Sequence, residues 1–147
     1  MTTPNEGQQV APPVDFVTGL ESRSALEDLL RKVTADPAEQ IAILGVDLVG
    51  LKDVNETAGF LAGDSLLAEA AATLRAATSA ATMQARLGGD ELVAVFTGVA
   101  ASAAAKAAQD ALEMARRPAI RCGMIIRQPD EPPQQLVERL YAAIRSA

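Results

Sequence analysis

The sequence predicts an α/β protein of the α+β kind, a sandwich in which a mainly antiparallel central sheet is flanked by helices. Three observations lead there. Apolar residues make up 49% of the 147 positions, yet there are only three Phe, one Tyr and no Trp, so Ala, Leu and Val must fill the core. That composition suits helices packed on a sheet better than an aromatic-rich β-sandwich. The apolar spacing also alternates along the chain between helical and strand-like periods. Gly and Pro separate these stretches, and the length suits one core.

Residues 1–13 carry Pro, Gly and Gln with almost no large apolar side chain. They read as a disordered tail, leaving a domain over 14–147. Ser22 precedes Ala25, Leu26, Leu29, Leu30 and Val33, spaced as one helical face that stops before Pro37. The apolar run 41–48 ends in an acid and a Leu, as a buried strand does. A turn punctuated by Gly59 and Gly63 follows, and Leu66, Leu67, Ala70 and Leu74 then mark a helix from Ser65 to Ala77. Residues 82–87 and 92–96 read as two strands joined by a tight Gly88-Gly89-Asp90-Glu91 hairpin. The Ala-rich stretch 99–117 has high helix propensity and ends at Pro118. A strand over 119–127, a Pro-rich loop and a helix over 134–146 complete the chain. This order predicts a ferredoxin-like sandwich with helices on one face of the sheet.

Composition excludes several functions. The net charge of −6 and pI of about 4.6 leave no basic surface for a nucleic-acid backbone. With no His, imidazole catalysis and His–metal ligation are ruled out, and a metal site must be built from oxygen. The lone Cys122 cannot form an internal disulfide and fits a reducing cytoplasm or a core position, as the Met residues do. No basic-then-apolar leader and no apolar run of membrane-spanning length occurs, so a cytoplasmic location without a membrane segment is expected.

The acids carry the chemistry. Asp47 ends a buried strand, where a carboxylate is costly without a partner, and Asp90 and Glu91 stand at the hairpin tip. A hairpin lying beside that strand would bring the three together. Converging carboxylates without His or Cys suit a hard cation such as Mg²⁺. Gly88 and Gly89 would let phosphates approach the backbone, and Lys52 could offset their charge. A strand-end acid and a solvated turn are the plainer reading of the same spacing.

Four blocks then resemble one family. Gly88-Gly89-Asp90-Glu91-Leu92 is similar to the GGDEF signature of nucleotidyl cyclase domains, with Leu in place of Phe. The stretch from Asp15 to Arg23 resembles the family's opening D-x-LTGL-x-NR. The stretch from Asp47 to Asn55 resembles its D-x-D-x-FK-x-IN block, and Asn55 through Gly59 to Gly63-Asp64 resembles ND-x-x-GH-x-x-GD. The resemblance implies a diguanylate cyclase-type domain that condenses two GTP to cyclic di-GMP with Mg²⁺ or Mn²⁺, active only as a homodimer. It implies that Asp47, the Leu48 carbonyl, Asp90 and Glu91 bind metal, and that Asp90 and Glu91 are catalytic, Glu91 activating the 3′-hydroxyl. It further implies that Asn55 and Asp64 read guanine, that Gly88 and Gly89 lie against the nucleotide, and that Lys52 faces phosphate. Asp15 and Arg23 are expected to tie the first helix to the domain.

Departures accompany the match. Val49 replaces the second Asp of D-x-D, and Phe60 stands where the family has His. The family's closing Tyr matches Tyr141, but Ile144 occupies the position of a phosphate-binding Lys three residues on. The stretch 99–127 is short for the family, so a small hairpin is expected to be missing. Ser79 and Thr82 hold the positions of the product-inhibition motif R-x-x-D. An inactive domain that binds GTP or a protein regulator is therefore the alternative expectation.

Overall fold

The computed structural model describes residues 14–115 and 118–147, so the tail expected over 1–13 lies outside the described residues. Ser22, which precedes the helical face in the sequence, caps α1 (Arg23–Thr34), its hydroxyl accepting from the Ala25 N–H. The strand β1 (Ile41–Leu48) is buried along its whole length. Helices α2 (Leu51–Ala58) and α3 (Phe60–Ala77) follow, then β2 (Met83–Arg86) and β3 (Glu91–Thr97). Helix α4 (Ala101–Glu113), strand β4 (Ile120–Ile126) and helix α5 (Pro133–Arg145) end the chain.

The sheet has the order β2-β3-β1-β4, and every neighbouring pair is antiparallel. Without α1 and α5 this is the ferredoxin-like βαββαβ order. Among the described residues no strand lies between α4 and β4, where a small hairpin was expected to be missing.

Strand alternation divides the core. Ala42, Leu44, Val46, Leu92, Ala94 and Phe96 face α3 and α4. Ile41, Ile43, Val93 and Val95 face the opposite way, against Leu26 and Leu30 of α1 and Leu136, Leu140 and Ile144 of α5. The expectation of helices on one face is corrected here. An unpaired second face would leave a row of Ile and Val in water, and each such side chain gains roughly 1.5–3 kcal/mol on burial.

The Gly59 turn is also corrected. It is a single-residue joint between two helices, with φ of 90° and its N–H donating to the Asn55 carbonyl. The short apolar spacing of α2 hid it, because only Leu51 of that helix is buried. Helix α4 ends at Glu113, and Met114 behind it is exposed, not core. Cys122 does pack against the core, where burial pushes its thiol up to about 11.

The segment before α1 covers the β2 edge. Glu21 donates its N–H to Gln84 O and accepts from Arg86 N, which extends the sheet by one bridge. Its geometry depends on Asp15, whose carboxylate accepts from the Thr18 N–H and hydroxyl and pairs with Arg86. Burial opposes ionisation there, but those donors outweigh it and hold Asp15 below its ordinary range. Arg23 donates to Leu87 O, so both residues tie α1 to the hairpin as expected.

Candidate metal and nucleotide site

Register builds the centre of the site. Asp47 pairs with Glu91 on β3 and with Arg121 on β4. Period-2 alternation therefore sets Glu91, Asp47 and Arg121 side by side across three strands, on the α1–α5 face. One step inward the row is Val93, Gly45 and Gly123. Helix α5 comes down on those two glycines. A Cβ at Gly123 would stand 2.6 Å from the Ala143 and Ile144 backbone, and one at Gly45 would stand 2.5 Å from Ile144 Cδ1. The polar row lies two residues farther along each strand than these glycines.

The hairpin adds the third acid. Glu91 O accepts from the Leu87 and Gly88 N–H groups, and Leu48 N donates to Asp90 O. Arg86 spans the turn, donating to the Gly88 and Gly89 carbonyls while pairing with Asp15. A Cβ at Gly88 would meet Glu91 Oε1 at 2.2 Å, so a side chain there would have to displace that carboxylate. Gly89 is open, with nothing within 4 Å of a Cβ position. This holds ligand oxygens of Asp47, Asp90 and Glu91 within 4.8 Å of one another.

The electrostatics of the three acids are those of a cluster short of positive charge. Burial first, then Asp90, lifts Asp47 above the ordinary carboxylate range, while Arg121 pulls it down. Burial lifts Asp90 as well, with Asp47 opposing and Glu91 adding to the rise. Asp47 is 7% exposed and its Oδ1 is buried without a hydrogen-bond partner. A buried carboxylate oxygen left unpaired is costly, and a hard cation would satisfy it. The all-oxygen donor set fits Mg²⁺ or Mn²⁺.

An open cleft of about 400 Å³ leads to these acids. Asp47 and Asp90 line it, with Arg121, Lys52 and the residues Leu48 to Asp53. Gly50 caps α2 at φ 83° with no side-chain hydrogen bond, so the first N–H groups of α2 are open to an anion at the same cleft.

Asn55 and Asp64 do not line this cleft. They stand on α2 and α3 on either side of Gly59, where the Asn55 carboxamide fills the space a Gly63 side chain would take, 1.7 Å from a Cβ position. Asp64 is internal to α3 and caps no helix. Ile144 is 2% exposed and part of the core, so a cation cannot be recruited from that position. Thr82 shares a hydrogen bond of 2.7 Å with Thr97.

Arg121 escaped the sequence reading. Its signal was a lone charge inside the otherwise apolar 120–126 stretch, but only the β1–β4 register shows which acid it meets.

Comparison with known proteins places the chain in a family. The family model "Diguanylate cyclase, GGDEF domain" matches residues 13–128. The diguanylate cyclase TpbB of Pseudomonas aeruginosa is 33% identical over 92 residues, 60% of this chain and 21% of that protein. The cyclic di-GMP phosphodiesterase PdeR of Escherichia coli is 29% identical over 121 residues, 82% of this chain and 18% of that protein. The GGDEF domain of DgcB from Caulobacter crescentus, solved in complex with c-di-GMP, superposes with a TM-score of 0.78 at 25% identity. That match covers 94% of this chain and 91% of the solved one. The chain spans about a fifth or less of the curated relatives it matches.

Proposed function

Because the chain belongs to the GGDEF domain family, we propose that it binds GTP with Mg²⁺ and, facing a second copy, condenses two GTP to cyclic di-GMP. The observation that carries this reading is the convergence of Asp47, Asp90 and Glu91, with a buried Asp47 oxygen lacking a partner.

Asp47, Asp90, Glu91 and the Leu48 carbonyl would hold the metal, which supplies neutralisation of phosphate charge when bound. The protein's part is position and electrostatics. The N-terminal turn of α2 and Lys52 receive the phosphates, and Gly88 and Gly89 present bare backbone to them. Glu91 takes the proton of the 3′-hydroxyl. Each 3′-oxygen bonds to the α-phosphorus of the GTP on the opposite copy, whose bond to pyrophosphate breaks. Two GTP thus give one cyclic di-GMP and two pyrophosphates. Asn55 and Asp64 read guanine, Asp64 accepting from the N1–H and N2–H₂ edge and Asn55 offering one donor and one acceptor. Adenine presents an acceptor at N1, which an Asp cannot satisfy.

A second reading is supported by Ile144, which is buried where a phosphate-side cation is expected. On that reading the domain binds Mg²⁺–GTP and regulates a protein partner without turnover.

Incubation with GTP and Mg²⁺ followed by chromatography separates the two readings, cyclic di-GMP appearing only under the first. Calorimetry tests their common ground. GTP is expected to bind at least tenfold more tightly than ATP, and Asp47→Asn with Asp90→Asn is expected to abolish Mg²⁺-dependent binding. Equal affinity for the two nucleotides, or unchanged binding in the double variant, would overturn the site assignment.

A further inference from the structure

The acidic row carries a cation of its own. Arg121 Nη2 donates to Asp47 Oδ2, while Asp47 Oδ1 stays buried and unpaired. A guanidinium and a divalent cation would compete for the same carboxylate. The two partners are unequally held. The Asp47 side chain is 11% exposed and fixed inside β1, whereas that of Arg121 is 45% exposed at the rim of the sheet. If the pair separates, the arginine is the partner free to leave.

Its surroundings say where it goes. Arg121 lines the same cleft as Lys52 and the uncapped first turn of α2, so a rotated guanidinium stays within the cleft. Among the described residues these two are the cations that line it. The buried Ile144 contributes none. The planar fork of an arginine matches paired phosphate oxygens.

We propose that Arg121 is an exchangeable counter-ion, holding Asp47 in the ligand-free domain and passing to the nucleotide phosphates when a divalent cation takes that carboxylate. This rests on the GTP reading above and adds to it a positioning residue and an order of events. Metal alone binds weakly because it must displace the arginine, and metal with nucleotide binds well because the displaced arginine gains a new partner.

The test uses Mn²⁺ as the probe, followed by electron paramagnetic resonance at pH 8 in the wild type, Arg121→Ala and Arg121→Gln. GTP is then titrated at saturating Mn²⁺. Circular dichroism confirms that each variant is folded, and the Gln variant retains a donor for Asp47 should the Ala variant fail to fold. Loss of the arginine is expected to tighten Mn²⁺ binding alone by roughly tenfold and to weaken GTP binding by roughly tenfold, the scale of one charge-assisted contact. These opposite shifts separate exchange from a merely structural role, which would move both affinities the same way. Unchanged or weaker Mn²⁺ binding in the variants overturns the proposal, and so does unchanged GTP binding where the wild type binds GTP. Wild-type protein that binds Mn²⁺ but no GTP refutes the nucleotide reading instead, and the Mn²⁺ comparison alone then decides whether Arg121 is the counter-ion that metal displaces.

Discussion

Replacing Asp90 with Asn should remove metal binding and, in the metal-free protein, raise stability. Asp90 holds a carboxylate oxygen no more than 4.8 Å from those of Asp47 and Glu91. Two like charges at 4.8 Å repel by ~3.5 kcal/mol at an effective dielectric of about 20, and by ~0.9 kcal/mol in bulk water. Asp90 is only half-buried, and Arg121 offsets part of the field, so the lower figure is the better guide. A gain of about 1 kcal/mol follows, or a rise in Tm of roughly 2–4 °C for a domain near this size. The sign with pH follows from burial, which lifts both acids above their ordinary range, helped at Asp90 by Glu91 against the opposing Asp47 and at Asp47 by Asp90 against the opposing Arg121. The folded state then holds protons more tightly than the unfolded state, so these groups lower stability as pH rises from about 3.9 through the folded values. The advantage of Asp90→Asn should be complete at pH 7.5 and fade as pH falls toward about 4. Thermal unfolding in EDTA at low salt measures it, and added salt should shrink it. Saturating Mg²⁺–GTP should reverse the order, since ligand at about 100 times its Kd stabilises the wild type alone by about 2.7 kcal/mol. A variant less stable than wild type in EDTA at pH 7.5 would show that Asp90 is not under repulsion.

Three further outcomes are expected. Gly123→Ala sets a Cβ 2.6 Å from the backbone of α5, and urea unfolding should show a loss of about 1–3 kcal/mol. Gly45→Ala meets the flexible end of Ile144 and should cost less, so an equal or larger loss there would contradict the close approach at Gly123. Glu131, 3% exposed, accepts two bonds of 2.7 Å from Arg139, which holds its carboxyl below the ordinary range. Glu131→Gln should cost about 2–3 kcal/mol above pH 5, and the difference should vanish as pH falls below about 4.3 through the lower folded value, read from Tm against pH. Cyclic di-GMP should not bind tightly around Ser79 and Thr82, because Thr82 is spent on Thr97 and the nearby Arg75 donates to Thr18 O. Saturable amide shifts at these residues at low micromolar ligand would refute that.

The sequence by itself determined what local chemistry can encode. The apolar run 41–48 and the Gly-Gly turn between two strand-like stretches each appear where the pattern places them, because period and turn chemistry act over a few residues. The four motif blocks named the acids, and the absence of His restricted the donors to oxygen. Tertiary structure decided what depends on distant pairing. It set α1 and α5 on the second face of the sheet, because the odd-numbered residues of β1 and β3 needed cover that no single segment reveals. It turned the Gly59 turn into a joint between helices, since α2 buries too little to declare its period. It buried Ile144 against Gly45, a contact between residues 99 positions apart in the chain. It also brought Arg121 to Asp47, because strand register is fixed by the packing of the whole sheet and a one-residue slip would send that charge to the other face.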